Sequence, residues 1–268
     1  MNEINKLGEE QINSQGYLMR IIEYNDDDDL VIEFQDKYRA KVHTKYGLFE
    51  SSNVKNPYHP TIFGVAIVGN KYPTRKHGKY IKEYETWTGM LDRCFNDKLK
   101  EKYPTYHNVT CCEEWLLYEN FYEWIHSQSN YDKWLVGKKW EMDKDIICNG
   151  NKTYSPDSCF LVPNYVNVLF TKSSAARGKL PIGVCYSGKN KDRYTSKVSI
   201  RINDGKKRES GRIRKSLGYF NTPEEAFLAY KKAKEEHIKE VAQEEYESGN
   251  ITKECCEAMM KYEVKITD

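Results

Sequence analysis

The stretch IGVCYSGKNKDRYTSKVSIRINDGKKRESGRIRKSLGYFNTPEEAFLAYKKA, residues 182–233, decides how this chain is read. Three short runs inside it, residues 182–186, 194–202 and 212–219, are rich in β-branched and aromatic residues and bounded by Gly, Asn or Asp, the pattern of strands. Thr222 then serves as an N-cap, with Pro223 at the first helical position and Glu225 closing a capping box. Ala226, Phe227, Ala229, Tyr230 and Ala233 continue as a helical stripe. Period-two alternation in RYTSKVSIRI puts Arg193, Thr195, Lys197, Ser199 and Arg201 on one face and Tyr194, Val198, Ile200 and Ile202 on the other. The apolar side is predicted to pack under the helix, leaving a row of cations outside, joined by Arg212, Arg214 and Lys215.

Charge supports that division. The whole chain is nearly balanced, with 42 basic and 40 acidic residues, but residues 171–216 hold 14 basic residues against Asp192, Asp204 and Glu209. Such a concentration is the electrostatic footprint of a polyanion binder, although a solvated basic face carries the same composition. Cations at strand spacing suit phosphates and guanine edges in a major groove.

The blocks IGV (182–184), YTSKVSI (194–200), SLGYF (216–220) and TPEEAFLAY (222–230), in that order, resemble the plant ethylene-response-factor (APETALA-type) DNA-binding domain, variants of which sit at the C-terminus of phage endonucleases. The resemblance implies a module over residues 180–247 whose sheet lies in the major groove of double-stranded DNA, with Arg193, Lys197, Arg201 and Arg214 as contacts. Tyr194, Arg212 and Lys215 complete the candidate DNA-binding set. Ser216 stands where plant members usually carry Trp. A tail over residues 248–268 spaces Cys255, Cys256, Met259 and Met260 as one face of a short packing helix.

Upstream, Tyr84, Trp87, Met90, Leu91, Cys94 and Phe95 form the stripe of an amphipathic helix, and a second helix is predicted over residues 114–127. Residues 138–170 combine a short apolar and acidic run, an Asn-Gly-Asn turn, a Ser-Pro turn and a second apolar run, which predicts a ββα or irregular hairpin unit. The blocks YETWTGMLDRCFN (84–96), VTCCEEWLLYENFYEWI (109–125) and MDKDIICNGNKTYSPDSCFLVPNYVN (142–167) resemble a phage HNH-type endonuclease branch, which implies a module over residues 80–172. In working ββα nucleases an Asp and a downstream His or Asn hold a divalent ion while a His activates water. By that likeness Asp143, with Asp145, is the candidate ligand for Mg²⁺ or another divalent metal, and Asp143, Lys144 and Asn151 are the candidate catalytic set. Lys144 occupies the base position, and a protonated amine is a poor base at neutral pH. Weak or lost nuclease activity is therefore expected. His107 and His126 sit in no recognisable ligand spacing, and Asp143 and Asp145 are equally explained as turn or capping residues.

The first segment, residues 16–57, alternates β-branched and aromatic residues around an acidic turn at residues 26–29, predicting a hairpin within a small β-barrel-like domain or curled sheet over residues 1–70. The Gly-, Pro- and base-rich residues 60–80 read as a linker. The eight cysteines form no C-x-x-C pair, which favours packing thiols over zinc. No basic and apolar leader opens the sequence and no apolar run nears a bilayer span, so a cytoplasmic, non-membrane protein is expected.

The chain thus reads as a multi-module α+β protein: a phage-type DNA-binding relative of homing endonucleases. A second reading, from a different class, is a catalytically dead protein that binds a host defence complex, or a second copy of itself, through the aromatic residues Trp87, Trp115, Tyr118, Tyr122, Trp124, Trp134 and Trp140.

Overall fold

The computed structural model describes residues 5–147, 150–171, 179–187, 193–201 and 212–266, with Arg212 described by its backbone alone. Lys172, Arg177, Lys189, Lys191, Ile202, Lys206, Lys207, Arg208, the three acids of the basic stretch, Cys148 and Asn149 lie outside the described residues. The chain is mixed α+β and forms two compact units, residues 1–126 and 127–268.

The first unit opens with an antiparallel meander of β1 (Glu10–Ile12), β2 (Leu18–Asp26), β3 (Asp29–Phe34) and β4 (Lys41–Thr44), paired in that order. The acidic turn forms the β2–β3 hairpin, where the Asp26 carboxylate accepts from the Asp28 N–H and where Lys6 and Lys45 pair with Asp27 and Asp28. Met19, Ile21, Leu30, Ile32 and Phe34 line one face and bury against Phe49 of α1 (Tyr46–Glu50) and Val54. The expected barrel is corrected to an open, curled sheet. Register shifts bend β2 between Ile21 and Glu23, but the short edge strands β1 and β4 do not pair with each other.

Residues 60–80, read as a linker, are instead bonded into this unit. They hold the β5 (Arg75–Lys76) and β6 (Lys79–Tyr80) hairpin, a fully buried Ala66, and an Ile67 bridge to Leu117. The buried Glu119 carboxylate takes the place of secondary structure here: it accepts from the Asn70 and Lys71 N–H groups at 3.0 and 2.9 Å and from the Tyr58 hydroxyl. Helices α2 (Lys82–Phe95) and α3 (Asp97–Lys102), strand β7 (Thr110–Cys111) and helix α4 (Tyr118–Ser127) follow. The helix predicted over 114–127 starts later, because residues 113–116 wind as a 3₁₀ turn that brings the Trp115 carbonyl to the indole N–H of Trp87.

The second unit begins with α5 (Tyr131–Val136). Strands β8 (Trp140–Asp143) and β10 (Phe160–Pro163) pair antiparallel, flank the short β9 (Thr153–Tyr154), and run into the one-turn helix α6 (Asn164–Asn167), the ββα order read from the sequence. Strands β11 (Val184–Ser187), β12 (Arg193–Arg201) and β13 (Arg212–Phe220) form an antiparallel sheet with β12 central. Helix α7 (Pro223–Glu247) starts on the expected capping box, and α8 (Lys253–Met260) buries Cys255, Cys256 and Met259.

The 25 residues of α7 make a rod of about 37 Å, longer than the sheet it covers. Its first half packs Ala226, Phe227 and Tyr230 against Val184 and Val198. The second half packs Ile238, Val241 and Ala242 against Phe160, Val162 and α8. One helix therefore closes two cores. Among the described residues no helix is long and apolar enough to cross a membrane.

Candidate nucleic-acid interface

Strand β12 sorts its side chains as the alternation requires. Tyr194, Val198 and Ile200 pack toward α7, while Arg193, Lys197 and Ser199 point outward and are exposed. The outer face depends on an irregularity in β13: Ser196 pairs with Gly218 but Lys197 pairs with Ser216, so Leu217 is an extra residue. Gly218 takes φ +126°, which a residue with a Cβ rarely adopts. The bulge lets Leu217 and Phe220 both face the helix while Tyr219, Ser216 and Arg214 face outward. Without it, Arg214 would turn inward.

The seven candidate DNA contacts divide on this geometry. Arg193, Lys197 and Arg214 stand on the outer face, exposed, with no carboxylate partner among the described residues. Lys215 is exposed but lies across from Val198, on the opposite side of β13 from Arg214. Tyr194 is half-buried toward the helix, its ring 5.5 Å from that of Tyr186. Arg212 pairs through its backbone with Arg201, and its side chain lies outside the described residues. Arg201 is turned to internal use: Nη1 donates to Glu245 Oε1 at 2.8 Å, and the guanidinium lies 3.6 Å from the centre of the Tyr165 ring. Tyr219, opposite Thr195 on the outer face and 71% exposed, was not singled out from sequence. Its signal was the Leu-Gly dipeptide before it, which marks a bulge inside a strand.

Strand β11 stops pairing at Val184 and Ser196, so β12 runs on past its neighbour. A cleft of about 410 Å³ opens there, lined among others by Lys197, Ser199 and Arg214 from the sheet and Lys234 and His237 from α7. His237 is buried, and its Nε2 accepts the Arg201 backbone N–H at 3.1 Å. Burial, with the nearby Lys234 and Arg201 charges, pushes its pKa below the usual imidazole value.

The second candidate site is the turn after β8. Asp143 is 7% exposed, and its Oδ1 accepts the N–H groups of Asp145 and Ile146 at 2.8 and 3.1 Å. Burial raises its carboxyl to about 6. Lys144 Nζ donates to Asp145 at 2.9 Å and to the Asn151 carbonyl at 2.7 Å. The Asn151 amide in turn donates to the Lys144 and Thr153 carbonyls. Of the candidate catalytic set, Lys144 and Asn151 thus bond each other across the loop, while Asp143 is taken up by the backbone of the turn that follows it. Asp143 and Asp145 both line a cavity of about 370 Å³ with Lys152, Asn167 and Tyr262. They are the side chains that would hold a divalent ion, but Asp145 is already paired with Lys144. Among the described residues no three His, Cys, Asp or Glu side chains gather as a metal-binding group.

The remaining polar residues of that stretch brace it: Asn164 and Asn167 donate to Glu141, and Ser155 bonds Ser158. In the first unit His126 stacks on Tyr122 and lies 3.3 Å from Glu83. Cys94, Cys159, Cys255 and Cys256 are buried, and burial lifts the Cys159 thiol to about 12, far from thiolate reactivity. Of the aromatic residues considered as a partner surface, Trp87, Trp115, Tyr118 and Trp134 are core, and Tyr122, Trp124 and Trp140 are half-buried.

Compared with protein-family models, curated proteins and solved structures, the chain matches none.

Proposed function

We propose that this protein binds double-stranded DNA through the outer face of the β11–β13 sheet, with weak or lost nuclease chemistry at the Asp143 turn. The observation that carries the reading is the set of exposed cations without carboxylate partners, Arg193, Lys197 and Arg214, on one face beside the exposed Tyr219. An arginine or lysine that no internal acid neutralises keeps its full attraction for phosphate, and a guanidinium also matches a guanine edge. A curved three-stranded sheet with its helix on the far side can approach a groove without clash. At the turn, Lys144 is committed to Asp145 and Asn151 and supplies no base.

The test is duplex binding by the full chain across a salt series, with and without Mg²⁺ or Mn²⁺, on a gel that also resolves nicking. Salt-steep binding without cutting is the expected result. Metal-dependent cutting abolished by Asp143→Ala would make the protein a nuclease despite Lys144. Absence of binding at low salt would overturn the proposal.

A further inference from the structure

The first unit carries a second cationic surface, built on residues unrelated to the β11–β13 sheet. From Lys71 to Lys82 the chain holds five Lys or Arg and no Asp or Glu. Two of the five are already engaged: Lys71 pairs with Glu123, and Lys82 also has a partner. The other three, Arg75, Lys76 and Lys79, are exposed on the β5–β6 hairpin and meet no carboxylate among the described residues. The hairpin turns tightly at His77 and Gly78, which take φ +52° and +78°, the two positive values that a type I′ turn requires. Its register sets Arg75 across from Tyr80 and Lys76 across from Lys79. Two lysines directly opposite on one face repel each other, and no acid of the hairpin relieves them. The ribbon is nevertheless held firmly from its other face. The Arg75 guanidinium lies 4.0 Å from the centre of the Tyr80 ring, Tyr80 stacks on Tyr84, and Tyr84 meets the buried Tyr118 edge-on. The Tyr118 hydroxyl donates to the Pro73 carbonyl and the Ile81 N–H to the Thr74 carbonyl, which pins the base of the hairpin.

We propose that the β5–β6 hairpin is a second contact for double-stranded DNA, with Lys76 and Lys79 binding backbone phosphates. An opposed lysine pair that only repels itself in the free protein gains most from an anion brought between or beside its two charges. A duplex offers such anions at one charge per about 1.7 Å of its axis, a density that flexible lysines can use without a shaped pocket. A two-stranded ribbon also fits the major groove, which is about 12 Å wide. A lipid surface suits the hairpin less well, because the tip, Lys76, His77, Gly78 and Lys79, has no apolar side chain to insert. The inference rests on the DNA-binding reading for the identity of the polyanion, but not for its residues, since hairpin and sheet share none. The contact carries no base readout and therefore adds affinity without adding sequence preference.

The experiment measures binding of a duplex oligonucleotide by fluorescence anisotropy across a salt series, for the full-length protein and three double variants. These are Lys76→Gln with Lys79→Gln, Lys76→Arg with Lys79→Arg, and, for the sheet, Lys197→Gln with Arg214→Gln. The hairpin Gln variant is expected to bind at least about fivefold more weakly at low salt, with the log–log salt slope reduced by about two, and the Arg variant to bind as the parent does. The Gln variant should also melt no lower than the parent, because it removes a repulsive pair, and this separates lost charge from lost fold. A hairpin Gln variant that binds as the parent does, while the sheet variant is weakened, overturns the hairpin contact and leaves the sheet reading standing. Weakening by the hairpin variant alone establishes the hairpin and removes the sheet reading. Equal loss in the Gln and Arg variants overturns the assignment to charge, and a parent that binds no duplex at low salt overturns both contacts.

Discussion

Arg201 and Glu245, 44 residues apart in sequence, meet at 2.8 Å, and this pair separates one arginine of the basic sheet from its neighbours. Glu245 is 5% exposed and is completed by the Tyr165 hydroxyl and the Asn250 amide. Arg214, on the adjoining strand, has no such partner among the described residues. Arg201→Ala is expected to destabilise the second unit by about 1–3 kcal/mol, because it strands a buried carboxylate that keeps two of its three donors. Arg214→Ala is expected to leave the urea midpoint nearly unchanged and to weaken duplex binding with a smaller salt slope. Urea unfolding and anisotropy on the two variants check the separation; equal loss of DNA affinity at unchanged stability would assign Arg201 to the DNA face.

Asp143 gives a pH prediction of definite sign. Its folded carboxyl titrates near 6 against an ordinary 3.8, so the native state holds the proton more tightly between those values. The group therefore adds stability as pH falls from about 6 toward 3.8, and above pH 6 its buried charge is a constant cost of about 2–3 kcal/mol. Asp143→Asn keeps an oxygen for the Asp145 and Ile146 N–H groups and removes that charge. It is expected to stabilise the protein at pH 8 and to have no such effect near pH 4, read by urea unfolding at both. Destabilisation at pH 8 would mean that the ionised carboxylate is serving a ligand.

Much of the second unit was legible because its signals are local. The capping box at Thr222 and Glu225, the alternation of RYTSKVSIRI and the turn after Asp143 each rest on residues a few positions apart. What escaped the sequence reading rests on long-range pairing. Glu119 binds Asn70 and Lys71 from 49 and 48 positions away, so residues 60–80 show no period and passed for a linker. The extra residue at Leu217 inverts the β13 alternation, and only its pairing with β12 reveals which of Arg214 and Lys215 faces out. The second half of α7 carries a stripe at Ile238, Val241 and Ala242 whose partners lie on β10 and α8, beyond any module boundary drawn from composition.

Gly183 is required by its contact with α7. It takes φ +78°, and a Cβ there would sit 2.0 Å from the Tyr230 ring. The ring is buried with Val184, Val198 and Phe227 in the core under the sheet. Gly183→Ala combines backbone strain with overpacking, and a loss of about 2–4 kcal/mol is expected. Gly16→Ala, at φ +85° with nothing within 4 Å, carries the strain alone and should cost about 1–2 kcal/mol. Parallel thermal melts check the difference, and equal losses would remove the Tyr230 contact as the cause.

His237 joins the fold to the cleft through one hydrogen bond, and its protonation state follows from it. Nε2 accepts the Arg201 N–H, so that nitrogen carries no proton in the native state. Burial and the Lys234 and Arg201 charges oppose the imidazolium, while Glu240 at 3.7 Å from Nδ1 favours it from an exposed position and so only weakly. The folded pKa therefore lies below the unfolded one, and the unfolded chain binds the extra proton. Stability from this residue is complete above about 6.5 and declines as pH falls below that value. The sign is opposite to that of Asp143, so the two must be separated by variants rather than by the parent's profile. His237→Gln, whose side-chain oxygen can accept the same N–H without titrating, is expected to lose less stability than the parent between pH 7 and 5, and a parallel fall in both would show that the imidazole is not the acid-sensitive group.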